Sequence, residues 1–491
     1  MAETGLFASI QRADARLDKY GIPLEKNLLV PLNLFDKAHC VMLYEQNIVS
    51  KEAAAAILRS LKKVDERGVE GFPWGKGDLW PQKERFVIDD IGEDTGGRLH
   101  TGRSRQDVGV TVNRLYLRTR VLDMAELLND FRDVLLDQAS QHVETVMPCY
   151  TWMQHAQTTT FAHYLLGCAF AMERNFQRIA RAYGLTNMSP AGAALQTGTS
   201  HPIDRQRVAD LLGFDGVIRN TRDAAMNYDY LGEIMVAASF TVGDLVRLIE
   251  DFAVWHSAEF DMISLDDAWC GTSSIMPQKR NPTPLMLVRG KASRVFARAN
   301  QAFSTMEGPC FGPPGPFFLR SDTNDVIEEF LGIFTMAAGF VSTLRVKAEV
   351  MRKRAGVHWA QATDLADTIV KDKGLSFRSA HHVVAEVVSM AEAAGKHPVD
   401  VDSEMIDQAA VKVLKRRLGL SEDAIKNALD PSRSVRIRTV YGGTSPDDVG
   451  GQIEETHRQL TADAKQTEAW KGRLAQAQRD LDETVKRVLG A

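Results

Sequence analysis

The sequence predicts an all-α protein organised around a bundle of long helices. Two apolar seams carry that expectation. One runs Leu117, Val121, Met124, Leu128, Phe131, Leu135, and the other Ala238, Val242, Leu245, Ile249, Phe252, both in alternating steps of four and three. Those are the intervals of helices that pack side by side. The third observation is that alternating strand patterns are scarce along the whole chain.

At 491 residues the chain is too long for one small core, and it divides into three parts. Residues 1–108 read as mixed helix and loop, with a turn region at Gly71-Phe72-Pro73-Trp74-Gly75-Lys76-Gly77. Residues 109–356 hold the long seams and one break, Gly308-Pro309-Cys310-Phe311-Gly312-Pro313-Pro314-Gly315-Pro316, which no helix crosses intact. Residues 357–491 read as a further helical domain. Its tail from Gly451 to Gly490 is rich in Gln, Glu, Lys, Arg, Ala and Leu, a composition that favours exposed helix. Amphipathic helices of this length must bury their apolar faces against partners.

Composition narrows the function classes. Hydrophobic residues at 44% and charged residues at 25% suit a globular protein, and a net charge of −5 gives no reason to expect nucleic acid or a membrane surface. Met1 to Tyr20 has no apolar run and does not read as a signal peptide, and no apolar stretch is long enough to span a bilayer. The five cysteines, Cys40, Cys149, Cys168, Cys270 and Cys310, are scattered without a CxxC pair. That argues for a reducing, cytoplasmic setting and against a zinc site. Cys149 and Cys270 read as small buried packing residues rather than catalytic thiols. No GxGxxG follows a strand and no Walker motif appears, so no nucleotide, metal or other cofactor is implied.

The most informative stretch is Gly271-Thr272-Ser273-Ser274-Ile275-Met276-Pro277-Gln278-Lys279-Arg280-Asn281-Pro282. It opens on a glycine and is cut by two prolines, so it reads as a mobile loop carrying hydroxyls, an ammonium and an amide. Those groups suit removal of a carbon-bound proton next to a carboxylate. A hydroxyl oxygen takes the proton, and a lysine and an asparagine hold the charge that develops. Three further segments stand out. They are Gly92-Glu93-Asp94-Thr95-Gly96-Gly97-Arg98-Leu99-His100-Thr101-Gly102-Arg103-Ser104-Arg105-Gln106-Asp107, then Met147-Pro148-Cys149-Tyr150-Thr151 with Gln154, Ala156, Gln157, Phe161, Ala162 and His163, and last Tyr441-Gly442-Gly443-Thr444-Ser445-Pro446.

In order and spacing these four segments resemble the fumarase/aspartase superfamily, and the argininosuccinate lyase branch in particular. Members eliminate an amine or water from a succinyl group to leave fumarate. The resemblance implies a three-domain fold with a long central bundle assembled as a homotetramer, each site collecting residues from three chains. It places Ser273 as the base, with Ser274 as the alternative, and Lys279 beside it. It places Ser104, Arg105, Gln106, Thr151, Gln157, Met276 and Asn281 as substrate-binding residues. Gln106 stands where the lyase pattern has asparagine. Arg103 is either a substrate ligand or a structural ion-pair partner, and His100 and His163 read as structural.

The departures cluster on the side that would receive the amine. A histidine of the lyase pattern is Trp152 here, and its glutamate partner is Met286. In an ungapped alignment a tyrosine, a glutamine and a lysine become Phe318, Thr323 and Val326, and an upstream histidine becomes Trp80. The residues Trp152, Met286, Phe318 and Thr323 thus outline a less polar amine pocket. The expectation is a carbon–nitrogen lyase that releases fumarate from an N-substituted aspartate, such as an aminopolycarboxylate, rather than from argininosuccinate. A true argininosuccinate lyase, a non-catalytic homologue on the same scaffold, and a cycloisomerase of carboxymuconate type are the competing readings. The expected partners are a small dicarboxylate, an amine and other copies of the chain.

Overall fold

The computed structural model describes residues 26–75, 78–306 and 314–490. The glycine/proline break and Cys310 fall largely outside them, as does the end of the Gly71–Gly77 turn. The first part is more helical than expected. It contains α1 (Leu29–Glu45), α2 (Lys51–Gly71, interrupted at Gly68, φ 64°) and α3 (Leu79–Ile91). Ser50 and Asp78 cap α2 and α3 through their side-chain oxygens.

The centre is a bundle. Helix α4 (Arg105–Gln141) leads into a hairpin of β1 (Val146–Thr151) and β2 (Gln154–Thr160), which feeds α5 (Phe161–Thr186). Then come α6 (Asp229–His256), a small ladder of β3 (Gly271–Thr272) and β4 (Arg280–Asn281), α7 (Thr283–Met306) and α8 (Pro314–Ser342). Both sequence seams are buried to within 1% exposure and belong to a single apolar core. Side-chain contacts give the directions. Asn113 Nδ2 donates to Tyr230 Oη at 2.9 Å, so α4 and α6 start together, and Gln138 Nε2 donates to the Ser342 carbonyl at 3.4 Å, so α4 and α8 end together. Arg114 Nη1 reaches the Leu185 carbonyl at 2.6 Å, so α5 runs back along α4.

The last part forms its own core from α9 (Ala362–Lys373), α10 (Phe377–Ala393), α11 (Ser403–Leu414) and α12 (Glu422–Leu429), around Leu365, Val383, Ile406 and Ile425. The tail forms the expected helix, α13 (Pro446–Leu489), started by Ser445 and a proline in the first turn. It is not simply exposed. Val449 and Leu460 enter the bundle core, while Leu481 and Val488 enter the core under α1 and α2. Cys149 also departs from expectation. It sits on β1 facing solvent, at the register break between Pro148 and Tyr150 where the strand bulges.

One buried ion pair fastens the tail to the bundle. Arg132 on α4 and Asp463 on α13 meet at 2.6 Å with side chains 0% and 3% exposed. Removing one partner strands the other charge in the core. Asp463→Ala is expected to lower unfolding free energy by about 3–5 kcal/mol, and Asp463→Asn, which still accepts a hydrogen bond, by less. Urea midpoints of the two variants check the order.

Candidate active site

The turn before α4 is built to present two side chains. Gly102 has φ +75°, and a Cβ there would come within 2.9 Å of Ile203, so only glycine fits. Arg103 then points inward, 2% exposed, onto Asp36 of α1, which also receives Lys83 of α3. Of its two readings, the structural ion pair is what the structure shows. Ser104 caps α4. Its Oγ accepts from the Gln106 backbone N–H at 3.0 Å, and its own N–H donates to Asp107 Oδ1 at 2.8 Å. Arg105 faces outward and pairs with Asp78.

Gln106, expected to bind substrate, has both amide protons committed, to the Ala225 carbonyl at 2.7 Å and Tyr228 Oη at 2.8 Å. It holds the start of α4 to the start of α6. Asp107, quoted in the motif without a role, is fully buried and accepts from Ser104 N, Gly192 N and Ala194 N at 2.8, 3.0 and 3.1 Å. Burial outweighs those bonds and pushes its carboxyl up to about 6.

The hairpin carries Thr151 and Gln157, both exposed. Its two-residue tip, Trp152-Met153, has φ of 54° and 60°. That is turn geometry normally given to Asn-Gly. Trp152 is 97% exposed, a whole indole in solvent in the single chain. His163 is tied down, Nδ1 to Thr159 Oγ1 at 3.0 Å and Nε2 to the Gly442 carbonyl at 3.2 Å, which joins the second and fourth sequence motifs.

The signature stretch closes as a hairpin, with Gly271 paired to Asn281 and Thr272 to Arg280. Ser273 is the first residue past the ladder. Its Oγ accepts from the backbone N–H of Ile275 at 3.4 Å and of Met276 at 3.1 Å. Two donors aimed at one hydroxyl oxygen are what an alkoxide there would need. Ser274, Ile275, Met276 and Lys279 face solvent, and Asn281 is half-buried beside Ser273's strand.

The amine-side residues separate. Met286 in the first turn of α7 is 47% exposed, whereas Thr323 and Val326 are 0% exposed in the bundle core. Thr323 spends its hydroxyl on the Leu319 carbonyl at 2.6 Å. Neither can line a pocket reached from solvent. The side chain of Phe318 lies outside the described residues. Trp80 packs edge-on to His100 with ring centroids 5.0 Å apart.

Within one chain these groups do not meet. Ser104 and Arg105 stand at the start of α4, and Thr151 lies beyond its end. A helix of 37 residues spans about 55 Å at 1.5 Å per residue. The signature hairpin follows α6, whose exit packs near β1 through Tyr150 and Phe260, 6.0 Å between centroids. Among the described residues no three His, Cys, Asp or Glu side chains gather as a metal would need, and no helix is long and apolar enough to cross a membrane.

A long helical bundle with this serine hairpin at one end and an arginine turn at the other is the architecture of the fumarase/aspartase-type lyases. Residues 12–297 match the family model for lyases, and residues 359–436 match that for the argininosuccinate lyase C-terminal region. The chain therefore belongs to the lyase family, in the argininosuccinate lyase-like branch of the fumarase/aspartase superfamily, and is a carbon–nitrogen lyase. It is 36% identical over 430 residues to the argininosuccinate lyase of Methanosarcina barkeri, covering 87% of this chain and 86% of that one. It is 36% identical over 435 residues to that of Anoxybacillus flavithermus, covering 87% and 92%. Its fold matches a solved EDDS lyase in complex with formate with a TM-score of 0.88 at 28% identity, covering 98% and 96%.

Sequence reading missed Glu84, which no motif singles out. It is 8% exposed on α3, beside His100, and burial pushes its carboxyl up to about 7. A carboxyl whose folded value exceeds its unfolded value of 4.5 binds its proton more tightly when folded. Its contribution to stability is therefore present below pH 4.5 and lost as pH rises through about 7. Glu84→Gln, neutral throughout, is expected to gain in thermal midpoint relative to the native chain across that window. A gap that stays constant from pH 4.5 to 7 would contradict the assignment.

Proposed function

We propose that the chain eliminates an amine from an N-substituted aspartate to give fumarate, reversibly, with Ser273 as the base. The observation that carries this reading is the pair of backbone N–H groups converging on Ser273 Oγ. Once the hairpin is covered and water excluded, those donors lower the cost of the alkoxide. Lys279, and Asn281 on the adjoining strand, hold one carboxylate of the dianion that forms. Ser104 and Arg105 hold the other, with Thr151 and Gln157 completing the dicarboxylate grip. Support for fumarate comes from the neighbouring EDDS lyase, a variant of which was solved with fumarate bound.

The amine differs from arginine in this proposal. Trp152, Met286 and Trp80 replace polar residues of the lyase pattern. A guanidinium among them gives up water without equal partners, a cost of several kcal/mol for a charged group. A true argininosuccinate lyase is the second reading, favoured by the names of the 36%-identical relatives. Fumarate incubated with a panel of amines, followed by loss of fumarate absorbance, decides between them. Argininosuccinate is expected to give kcat/KM below about 10⁴ M⁻¹s⁻¹, the lower end of ordinary enzymes. A value above that would make argininosuccinate the substrate.

Because Ser104 and Arg105 stand a helix length from Ser273, the proposed site is shared between chains of a homotetramer. Ser273→Ala alone is expected to lose about 10²–10⁴ in kcat, and Arg105→Ala to lose substrate binding. Mixing the two inactive chains restores part of the activity, since some sites then receive an intact serine and an intact arginine. A monodisperse monomer by light scattering, or mixtures with no recovery, would contradict sharing.

A further inference from the structure

Three buried polar atoms cluster beside the Ser104–Arg105 turn without partners among the described residues. They are Glu84 Oε2, His100 Nδ1 and Trp80 Nε1. Leaving such groups unsatisfied is costly, a cost tolerated where a ligand or a proton transfer uses them. Glu84 Oε1 lies 3.6 Å from His100 Nδ1, and the Trp80 ring closes over the imidazole edge. Glu84 is nine-tenths buried, while the His100 side chain is 38% exposed and so forms the mouth of the cluster. The cluster connects to the substrate grip. Asp78, which pairs with Arg105, accepts from the Trp80 backbone N–H at 3.1 Å, and His100 lies four residues before Ser104 in the same loop.

We infer that His100 and Glu84 deliver the proton taken up by the departing amine. The inference rests on the reading of the protein as an amine-eliminating lyase. With Trp152 and Met286 in place of a histidine and a glutamate, that proton needs another source. The charged groups facing the pair are Asp36, Lys83 and Arg103, with His39 behind them. Burial first and the Arg103 charge next hold His100 down to about 4, so its ring is neutral when the Glu84 carboxyl still carries a proton. The serine base takes the proton from carbon, and the electrons of that bond become the second bond of the alkene. The carbon–nitrogen bond breaks and its pair stays on nitrogen. Nitrogen takes a proton from His100, His100 takes one from Glu84, and Glu84 regains one from water as the serine returns the carbon's proton to water.

The test is a leaving-group series. N-substituted aspartates carrying amines of falling basicity, from alkylamines to arylamines, are compared for the native enzyme, Glu84→Gln and His100→Gln. Strongly basic amines need protonation to leave, and weakly basic ones do not. Both variants are expected to slow alkylamine release by about 10²–10⁴ in kcat with KM little changed, and to leave arylamine release within a few-fold of native. Equal slowing across the series, as a merely structural role would give, overturns the inference, and so does full activity toward alkylamine adducts. Glu84→Gln keeps a neutral buried side chain, and its thermal midpoint reports the fold. His100→Gln makes the same test at a half-exposed position. A native enzyme inactive on every adduct would sink the lyase reading itself, a result distinct from selective loss in the variants.

Discussion

A rigid helix fixes the distance between its ends, and in this chain that distance decides everything about the site. Helix α4 runs 37 residues without a break and buries its seam along the whole length. Its ends therefore cannot approach one another, however the loops move. The arginine turn is bound to one end and the hairpin of Thr151 to the other. In the proposed tetramer, chemistry that needs both is assembled by bringing a second copy alongside. The exposed groups agree with that geometry. Trp152 at 97%, Ile275 at 86% and Tyr441 at 92% are large apolar surfaces on the tips of the motif-bearing loops. In a lone chain they would be a liability.

The turn that presents Ser104 and Arg105 shows how a polar site is held on an apolar scaffold. Two carboxylates do most of it. Asp36 pulls Arg103 inward beside Lys83, and Asp107 gathers three backbone N–H groups from two segments far apart in sequence. Each carboxylate is buried, and burial opposes its charge. For Asp36 two cations reverse that penalty and its carboxyl falls below the usual range, whereas for Asp107 neutral N–H donors do not and its carboxyl rises. Cations compensate a buried carboxylate more strongly than amide dipoles do. The consequence is a turn whose backbone is fixed from beneath while Arg105 points outward against Asp78.

The bundle was legible because burial follows period. Every residue of the Leu117–Leu135 and Ala238–Phe252 seams is in the core. The tail was half legible. Composition identified a helix, yet its buried face, with Val449, Leu460, Leu481 and Val488, is too sparse over 44 residues to read as an interior stripe. Much of the face is polar and satisfied by tertiary pairs such as Arg132–Asp463, which no local pattern encodes. Serine, lysine and asparagine of the signature stretch were readable from residue type and spacing. What the oxygen of Ser273 accepts was not, since that depends on a seven-residue-scale turn closed by the Gly271–Asn281 pairing. Thr323 shows the converse failure. Aligned with a polar contact residue, it lies in a helix whose geometry sends it into the core and returns its hydroxyl to the Leu319 carbonyl. Gln106 is similar, a polar side chain at a motif position whose donors are consumed by the fold.

The polarity of the amine half now depends on fewer residues than the sequence suggested. With Thr323 and Val326 in the core, the changes among the described side chains that can face a ligand are Trp152, Met286 and Trp80. All three remove a polar group, and two add an indole. Yet the half is not apolar throughout, because Glu84 and His100 remain with unpaired atoms beside Trp80. Burial raises the carboxyl of Glu84 to about 7 even with the Arg103 charge nearby, which keeps the acid protonated near neutrality. In the proposed reaction, proton delivery to the departing amine would draw on this desolvated carboxyl. Under the proposed function, a substrate matched to this half carries a nitrogen that must be protonated to leave and a substituent that prefers aromatic walls to water.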